Sequence, residues 1–244
     1  MINNPKTEKK AIHTAAKYAE QYDEKIVEII PRYWDLLDSS VIGIPYETNK
    51  DITVMELGFG SGNLTLKILQ EFPNSKIYGI DYSPFMRDKA VTKLQQNKIS
   101  GHRFSPIVAD ITEYNYDKFC GNLDLIIGTL IFHDLTKKER DAFFAAASKM
   151  LKNEAVIIIG DVVGLDRGDY LKMPSKMWAK KLSKHLTSEE ILALFNQPEM
   201  AEMLNADSID DHHKSLSRYN LDYEFNVEYK NSEFAVIVSK KRAK

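Results

Sequence analysis

A glycine-rich segment between an apolar run and a helix-like run carries the clearest chemistry in this sequence. Gly58, Gly60 and Gly62 follow the apolar run 52–57, whose next-to-last residue is Glu56. Glycine lets a chain turn sharply and approach a ligand closely. The first N–H groups of the helix that follows have no partner inside that helix. A strand, a glycine turn and a helix in this order are typical of a site for a nucleotide-like cofactor.

An acidic residue ends the next apolar run. Asp81 follows the run 76–80 and lies about 20 residues beyond the glycine turn, where a carboxylate can bind both hydroxyls of a ribose. Dinucleotide-binding turns have Gly or Ala at their third marked position, where the helix packs tightly, but this chain has Asn63. S-adenosylmethionine (SAM) has no pyrophosphate and does not need that close approach, so the pattern favours SAM over a dinucleotide.

Four segments resemble the ordered motifs of class I SAM-dependent methyltransferases. They are residues 56–62 (ELGFGSG), 81–86 (DYSPFM), 109–111 (ADI) and 124–128 (DLIIG). The glycine motif alone is a weak signal, whereas four motifs in the right order and rough spacing are a strong one. The resemblance runs from about Tyr18 to the C-terminus. It implies an α/β, Rossmann-like sheet of seven strands with helices on both faces and an antiparallel last strand.

The resemblance also implies which residues bind the cofactor. Tyr82 and Met86 would flank the adenine, Asp110 would meet its amino group, and the backbone N–H of Ile111 would meet a ring nitrogen. Each assignment has a structural alternative. The apolar side chains could instead pack against the next helix, and the acids could instead cap a helix or lie in an exposed loop. The expected SAM-binding residues are Tyr18, Tyr22, Glu56, Gly58, Gly60, Gly62, Asp81, Tyr82, Met86, Asp110, Ile111 and Gly128.

A histidine follows the fourth apolar run and is the candidate catalytic residue. His133 can accept a proton near neutral pH, so it could act as a general base on the substrate side of the sheet. The alternative is a structural histidine that caps the next helix together with Asp134. Methyl transfer mainly requires that the acceptor be aligned with the sulfonium, and a base is needed only where the acceptor must lose a proton.

Hydrophobic periodicity predicts the elements that position these residues. Helical spacing runs from 11 to 37, with a break at Pro31, and 39–50 is predicted to be a linker. The predicted strands are 51–57, 76–80, 104–109, 123–128, 155–162, 223–229 and 233–239, and the predicted later helices are 63–71, 83–96 and 137–151. The last two strands are close enough to form an antiparallel hairpin.

The length of 244 residues predicts a single domain, 1–244. Within it, we interpret 1–45 as an N-terminal helical lid, because the tyrosines of 18–23 resemble those that reach the methionine end of SAM in related enzymes. The alternative is that these tyrosines pack on the core. The segment 164–220 exceeds what one crossover needs, so we expect it to cover the substrate, with Tyr170 and Trp178 as substrate-binding residues.

Composition and charge limit the classes of function that this chain could have. The formal net charge of −2 gives no general argument for nucleic acid or an anionic membrane, so a small-molecule substrate is expected. The single Cys120 excludes an internal disulfide and is predicted to be a small buried residue. The sequence has no apolar run of about 18 residues and no apolar signal core near its start, which predicts a soluble, cytoplasmic protein. It does not distinguish a monomer from a homodimer.

Several other interpretations stay open. Lysines at 172, 176, 180 and 184 form one helical face, which is either solvated or a contact for an anionic substrate or RNA. The run 210–213 (DDHH) could bind a metal, but no other ligand cluster supports this, and we predict none. Three rival functions remain. The first is an NAD-dependent oxidoreductase, suggested by the spacing of Tyr114 and Lys118. The others are a tRNA-related SAM enzyme, either similar to carboxy-SAM synthases or an RNA methylase, and a non-catalytic SAM-binding module.

Overall fold

The computed structural model describes residues 16–163, 180, 183–184, 187–195, 206–230 and 234–243. The strands are β1 (Thr53–Leu57), β2 (Lys76–Asp81), β3 (Phe104–Val108), β4 (Leu123–Thr129), β5 (Leu151–Val162), β6 (Glu224–Lys230) and β7 (Phe234–Lys240). The helices are α1 (Ala16–Ile29), α2 (Tyr33–Ile42), α3 (Asn63–Glu71), α4 (Pro84–Gln96), α5 (Lys137–Met150), α6 (Ser188–Phe195) and α7 (Ile209–Ser217). The strands form one seven-stranded sheet in the order β3-β2-β1-β4-β5-β7-β6.

The sheet is parallel from β3 to β5, and β7 pairs antiparallel with both β5 and β6. This topology confirms the predicted Rossmann-like fold with its antiparallel last strand. The register aligns the carboxyl ends of the central strands, because Leu57 pairs with Ile80 on one side and with Gly128 on the other. The residues that follow β1, β2 and β4 therefore meet at one edge of the sheet, where ligands of open α/β sheets bind.

Alternating side chains of the strands divide the core into two layers. Val54 and Ile127 pack on the face that carries α2, α3 and α4, whereas Met55 and Ile126 pack on the face that carries α5 and α7. All four of these side chains are fully buried. Near-continuous apolar strands are expected where a parallel sheet is covered on both faces. The buried core therefore holds in position the sheet edge that carries the glycine turn.

Local signals place the helix starts beside this edge. Ser83 accepts a hydrogen bond from Met86 N at 3.3 Å and Pro84 is the first residue of α4, as predicted. Thr136 and Glu139 form a capping box at the start of α5. Helix α3 has the predicted bounds and follows Gly62 directly. The caps at Ser83 and Thr136 therefore fix where α4 and α5 begin.

Two local predictions were wrong. Helix α2 continues through Ile42, into the predicted linker, because it packs directly on β5: a Cβ added at Gly160 would lie 2.6 Å from Ser40 Oγ. Cys120 is exposed rather than buried, because it lies in the turn between the 3₁₀ segment Asp117–Phe119 and β4. The predicted break of the N-terminal helix at Pro31 is confirmed by the separate helices α1 and α2.

Candidate functional site

The glycine turn after β1 has a backbone that only glycine adopts easily. Gly58, Gly60 and Gly62 have φ angles of 61°, 50° and 81°. Gly58 N donates to Ile80 O at 2.8 Å, which ties the turn to the end of β2. A Cβ at Gly60 would have no heavy atom closer than 3.9 Å, so space is open above this residue. The turn thus presents bare backbone to whatever binds above it.

Gly62 is required for a different reason, because it packs against α4. A Cβ at this position would lie 3.0 Å from Ala90 Cβ and 3.1 Å from Ala90 Cα. We expect Gly62→Ala to lower the free energy of unfolding by about 2–4 kcal/mol, from backbone strain and overpacking together. Gly121→Ala is the matched control. It also has a positive φ, 69°, but nothing lies within 4 Å of its Cβ position, so it should lose only about 1 kcal/mol. Urea unfolding measures both, and equal losses would contradict the packing argument.

Asp81 connects the glycine turn to the start of α4. Its Oδ2 accepts from Gly60 N at 2.9 Å and its Oδ1 accepts from Ser83 N at 2.8 Å. The side chain is buried, which raises its pKa, while these two N–H groups act in the opposite direction. Each carboxylate oxygen has two lone pairs, so each keeps one for a further donor. Asp81 therefore both orders the turn and can accept hydroxyl groups of a ligand.

Glu56 is a second buried carboxyl group below the same turn. Thr65 Oγ1 donates to its Oε2 at 2.7 Å. Burial raises the pKa of Glu56 to about 8, and the charge of Asp81 adds to this effect. Glu56 also lines a small cavity of about 20 Å³, together with residues that include Tyr22, Gly60 and Leu130. A positively charged ligand group in this cavity would face an acid whose charge depends on pH.

The residues expected around the adenine lie at the same edge. Ala109 N donates to Asp81 O at 3.0 Å, which brings the end of β3 beside Asp81. Asp110 Oδ1 accepts from both Thr112 N and Thr112 Oγ1, at 2.8 and 2.7 Å. Ile111 is buried, as is Met86, while Tyr82 is partly exposed. The geometry brings these four residues to one edge, and their contacts with a cofactor stay predictions.

Helix α1 lies over the glycine turn and is joined to it by Asp23. Its Oδ1 accepts from Ser61 Oγ at 2.5 Å and Asn63 Nδ2 at 3.0 Å, and its Oδ2 lies 3.1 Å from Lys93 Nζ and 3.2 Å from Lys89 Nζ. Burial opposes ionisation, but the Ser61 hydrogen bond and the Lys93 charge outweigh it and hold the pKa of Asp23 below its ordinary value. The N-terminal segment is thus fastened to the turn by its own carboxylate.

Tyr22, from the same helix, lines the cavity. This is the first of the two placements that the sequence left open, the other being packing on the core. Its hydroxyl oxygen would be 4.0 Å from a Cβ on Gly60. The predicted roles of Tyr18, Tyr170 and Trp178 fall on side chains outside the described residues. So do Lys172 and Lys176 of the lysine face, whereas Lys180 and Lys184 are described and exposed. The interpretation of 1–45 as a lid therefore depends on Tyr22 and Asp23 alone.

His133 is bound to an acid that the sequence did not point to. Its Nδ1 lies 2.6 Å from Asp161 Oδ1, and its Nε2 lies 3.2 Å from Asp134 Oδ1. Burial acts to raise the pKa of Asp161. His133 and the backbone N–H of Val162 have a larger effect in the other direction, so the pKa lies below its ordinary value. The alternative interpretation, in which His133 and Asp134 cap the next helix, is wrong, because Thr136 and Glu139 cap α5. His133 instead contacts Asp134 and a second, buried carboxylate.

Asp23 and Asp161 are the site residues that sequence reasoning missed. Asp161 is the single acid in the apolar run 155–162, and a charge in a strand buried on both faces was the available signal. Asp23 was part of the lid segment, but nothing in the sequence alone paired it with Ser61. Both acids act on residues that lie far away along the chain.

The DDHH run lies in the first turns of α7. Asp211 accepts from Ser208 in a capping box at the start of α7, and the neighbouring His212 is buried. No group of three or more His, Cys, Asp and Glu side chains suited to a metal occurs among the residues that the structure describes. Within the same residues, no helix is long and apolar enough to cross a membrane.

Residues 54–154 match the model of a methyltransferase domain. An uncharacterized methyltransferase of Bacillus mycoides (strain KBAB4) is 30% identical over 161 residues, which cover 66% of this chain and 68% of the relative. Another, of Bacillus cytotoxicus, is 31% identical over 163 residues, again covering 66% and 68%. A third, of Geobacillus sp. (strain WCH70), is 31% identical over 148 residues, or 61% and 62%.

Solved structures share the fold at low sequence identity. Magnesium protoporphyrin IX methyltransferase from Synechocystis PCC 6803, solved with bound SAH, gives a TM-score of 0.68 at 14% identity and covers 97% of this chain and 99% of that one. Geranyl diphosphate C-methyltransferase from Streptomyces coelicolor A3(2) gives 0.60 at 12% identity and covers 91% and 84%. At these identities the similarity shows a shared fold.

Proposed function

We propose that this chain, which belongs to the class I SAM-dependent methyltransferase family, transfers the methyl group of SAM to an oxygen or nitrogen atom of a small molecule. The observation that carries the proposal is the meeting of the glycine turn, Glu56 and Asp81 at one sheet edge. When bound, SAM supplies the methyl group on a sulfonium that is already a strong electrophile.

The residues at this edge fit that cofactor. The space above Gly60 admits a ligand close to the backbone, and Asp81 keeps lone pairs for two ribose hydroxyls. Glu56 faces the cavity and would lie near the positively charged groups of the methionine end. SAM is the cofactor that this combination of hydroxyl acceptors and buried acid suits.

The chain's part in the reaction is alignment and proton removal. The protein holds the acceptor in line with the bond that breaks, which supplies most of the rate enhancement of such transfers. His133, in the 3₁₀ turn after β4 and bonded to Asp161, is the proposed base for acceptors that must lose a proton.

A small-molecule acceptor is supported by charge and by the related folds. The net charge of −2 offers no general attraction for a polyanion. Two proteins with the same fold are named for small substrates, a magnesium porphyrin and geranyl diphosphate. The excess length of 164–220 over a simple crossover also supports a covered acceptor site.

Transfer of labelled methyl groups tests the proposal. The protein is incubated with methyl-labelled SAM and with either a metabolite extract below about 1 kDa or purified total RNA. We expect label in the low-mass fraction, and none when Gly60→Val, which fills the space above the turn, replaces the wild type. Label only in RNA would refute the small-molecule acceptor, and SAM binding without transfer to either fraction would favour a non-catalytic module.

A further inference from the structure

Tyr33 is a buried polar side chain at the cofactor edge, and the proposed function gives it no role. It is the first residue of α2 and is 6% exposed. It lines the same small cavity as Tyr22, Glu56, Gly60 and Leu130. A phenol in this place either completes the core or binds part of a ligand, and its hydrogen bonds distinguish the two roles.

The hydroxyl oxygen of Tyr33 accepts a hydrogen bond from Asn63, whose amide is held in one orientation by two charged groups. Lys93 Nζ donates to Asn63 Oδ1, and Asn63 Nδ2 donates to Asp23 Oδ1 at 3.0 Å. The same NH₂ group donates to Tyr33 Oη at 3.2 Å. Because Asn63 presents a donor to Tyr33, it cannot accept the phenol proton. The O–H bond of Tyr33 therefore points away from Asn63.

The phenol proton of Tyr33 has no acceptor within the part of the chain that the structure describes. A buried hydroxyl without an acceptor loses the hydrogen bond that water would give it, so buried polar groups usually have a protein, water or ligand partner. Burial, helped by the charges of Asp23 and Glu56, raises the pKa of Tyr33 to about 12, which keeps the hydroxyl protonated at neutral pH. Tyr33 thus offers a donor to a ligand in the cavity.

The cavity suits the end of a ligand rather than a whole molecule. Its volume of about 20 Å³ is room for a group the size of one water molecule. Beside it, the space above Gly60 is open, since no heavy atom lies closer than 3.9 Å to an added Cβ. Among the described residues that line the cavity there is no lysine, arginine or histidine. An acceptor that enters it would therefore meet an uncharged donor rather than a cation.

SAM has one group that suits such a donor. At its methionine end, a single carbon atom carries an ammonium and a carboxylate, and the sulfonium further along is also positive. Of these three groups, the carboxylate is the hydrogen-bond acceptor. An ammonium placed near Glu56 brings the carboxylate on the same carbon to the cavity that Tyr33 also lines.

We infer that Tyr33 is a binding residue for the α-carboxylate of SAM, to which its hydroxyl donates a hydrogen bond. The inference rests on the proposed function, in which SAM binds at this sheet edge. It adds a residue of α2 to the glycine turn, Glu56 and Asp81. It also makes the site selective for a ligand whose amino acid end has a free carboxylate.

Two ligands that differ only in this carboxylate test the inference. Isothermal titration measures the dissociation constants of SAM and of decarboxylated SAM for the wild type and for Tyr33→Phe. We expect the variant to bind SAM roughly 10- to 100-fold more weakly, which is the effect of losing one hydrogen bond to a charged group. Its dissociation constant for decarboxylated SAM should stay within threefold of the wild-type value.

The ratio of the two constants separates ligand binding from structural support. Tyr33→Phe keeps the buried ring, whose centroid lies 5.1 Å from that of Trp34, but Asn63 loses the oxygen to which it donated. A structural effect of this loss acts on both ligands alike and cancels in the ratio. Tyr46→Phe is the matched control, because the Tyr46 hydroxyl donates to Asp124 O at 2.8 Å near the amino end of β4. It should change neither constant by more than twofold.

Equal weakening of both ligands by Tyr33→Phe would overturn the inference, because it would assign Tyr33 a structural role alone. A folded variant that binds SAM as tightly as the wild type would also overturn it. If the variant does not fold, the wild type still decides, since equal affinity for SAM and decarboxylated SAM would exclude a useful contact with the carboxylate. Failure of the wild type to transfer methyl groups would overturn the proposed function instead, because the titrations measure binding alone.

Discussion

Replacing Asp81 with Ala is expected to raise the dissociation constant of SAM by at least 100-fold. The carboxylate keeps one lone pair on each oxygen for the ribose hydroxyls, and hydrogen bonds to charged groups contribute about 1.5–3 kcal/mol each. Two such bonds correspond to a factor of roughly 10²–10⁴. The variant also loses the bonds from Gly60 N and Ser83 N that order the turn, which acts in the same direction.

Isothermal titration with SAM measures this change. Asp88→Ala is the control, because Asp88 is an exposed acid on α4 that contacts Arg87 rather than the turn. It should leave the dissociation constant within twofold. Circular dichroism shows whether Asp81→Ala keeps the fold, and a folded variant with unchanged affinity would show that the ribose lies elsewhere.

The affinity for SAM is expected to rise with pH, by up to about tenfold per unit between pH 6 and 8. Without ligand, Glu56 has a pKa of about 8 and is mostly protonated at neutral pH. The sulfonium and ammonium of SAM favour the ionised carboxyl, so binding releases its proton. Release is easier at higher pH, and the dissociation constant falls accordingly until the pH exceeds the pKa of the free protein.

Glu56→Gln provides the matched comparison, since it keeps the shape but carries no charge. Its affinity should be nearly independent of pH over this range and lower than that of the wild type at pH 8. Titration in two buffers of different ionisation enthalpy counts the released protons directly. Equal pH dependence in wild type and variant would assign the effect to another group.

The same carboxyl group affects stability in the opposite sense. Its pKa is raised in the folded protein, so its contribution is fully favourable below the unfolded value of 4.5 and declines as pH rises through about 8. The full loss is on the order of 5 kcal/mol. Ligand-free Glu56→Gln should therefore be more stable than the wild type at pH 8 and similar to it at pH 4.5.

Local sequence signals predicted most of the elements around the site. The bounds of α3 and the start of α4 follow from Gly62, Ser83 and Pro84, each of which acts within a few residues. The apolar runs predicted the strands, although β5 begins at Leu151 rather than 155, where it pairs with Leu123 across an irregular register. Short-range chemistry of this kind can be inferred without knowledge of the fold.

The missed contacts depend on the register of distant segments. His133 and Asp161 meet because Thr129 pairs with Gly160, which places the residues after β4 beside the end of β5. Asp23 reaches Ser61 only after α1 packs over the glycine turn. A sequence shows that such acids exist, but the choice among partners is made by tertiary packing.

The position of β7 has a consequence for synthesis of the chain. Among the strands that the structure describes, the second neighbour of β5 is β7 (Phe234–Lys240), which comes about 70 residues later in the chain. Until the ribosome has synthesised that segment, one edge of β5 has unpaired backbone N–H and C=O groups. Exposed strand edges of this kind promote aggregation. The nascent polypeptide therefore passes through a stage, before β7 has been synthesised, in which it would need molecular chaperones most.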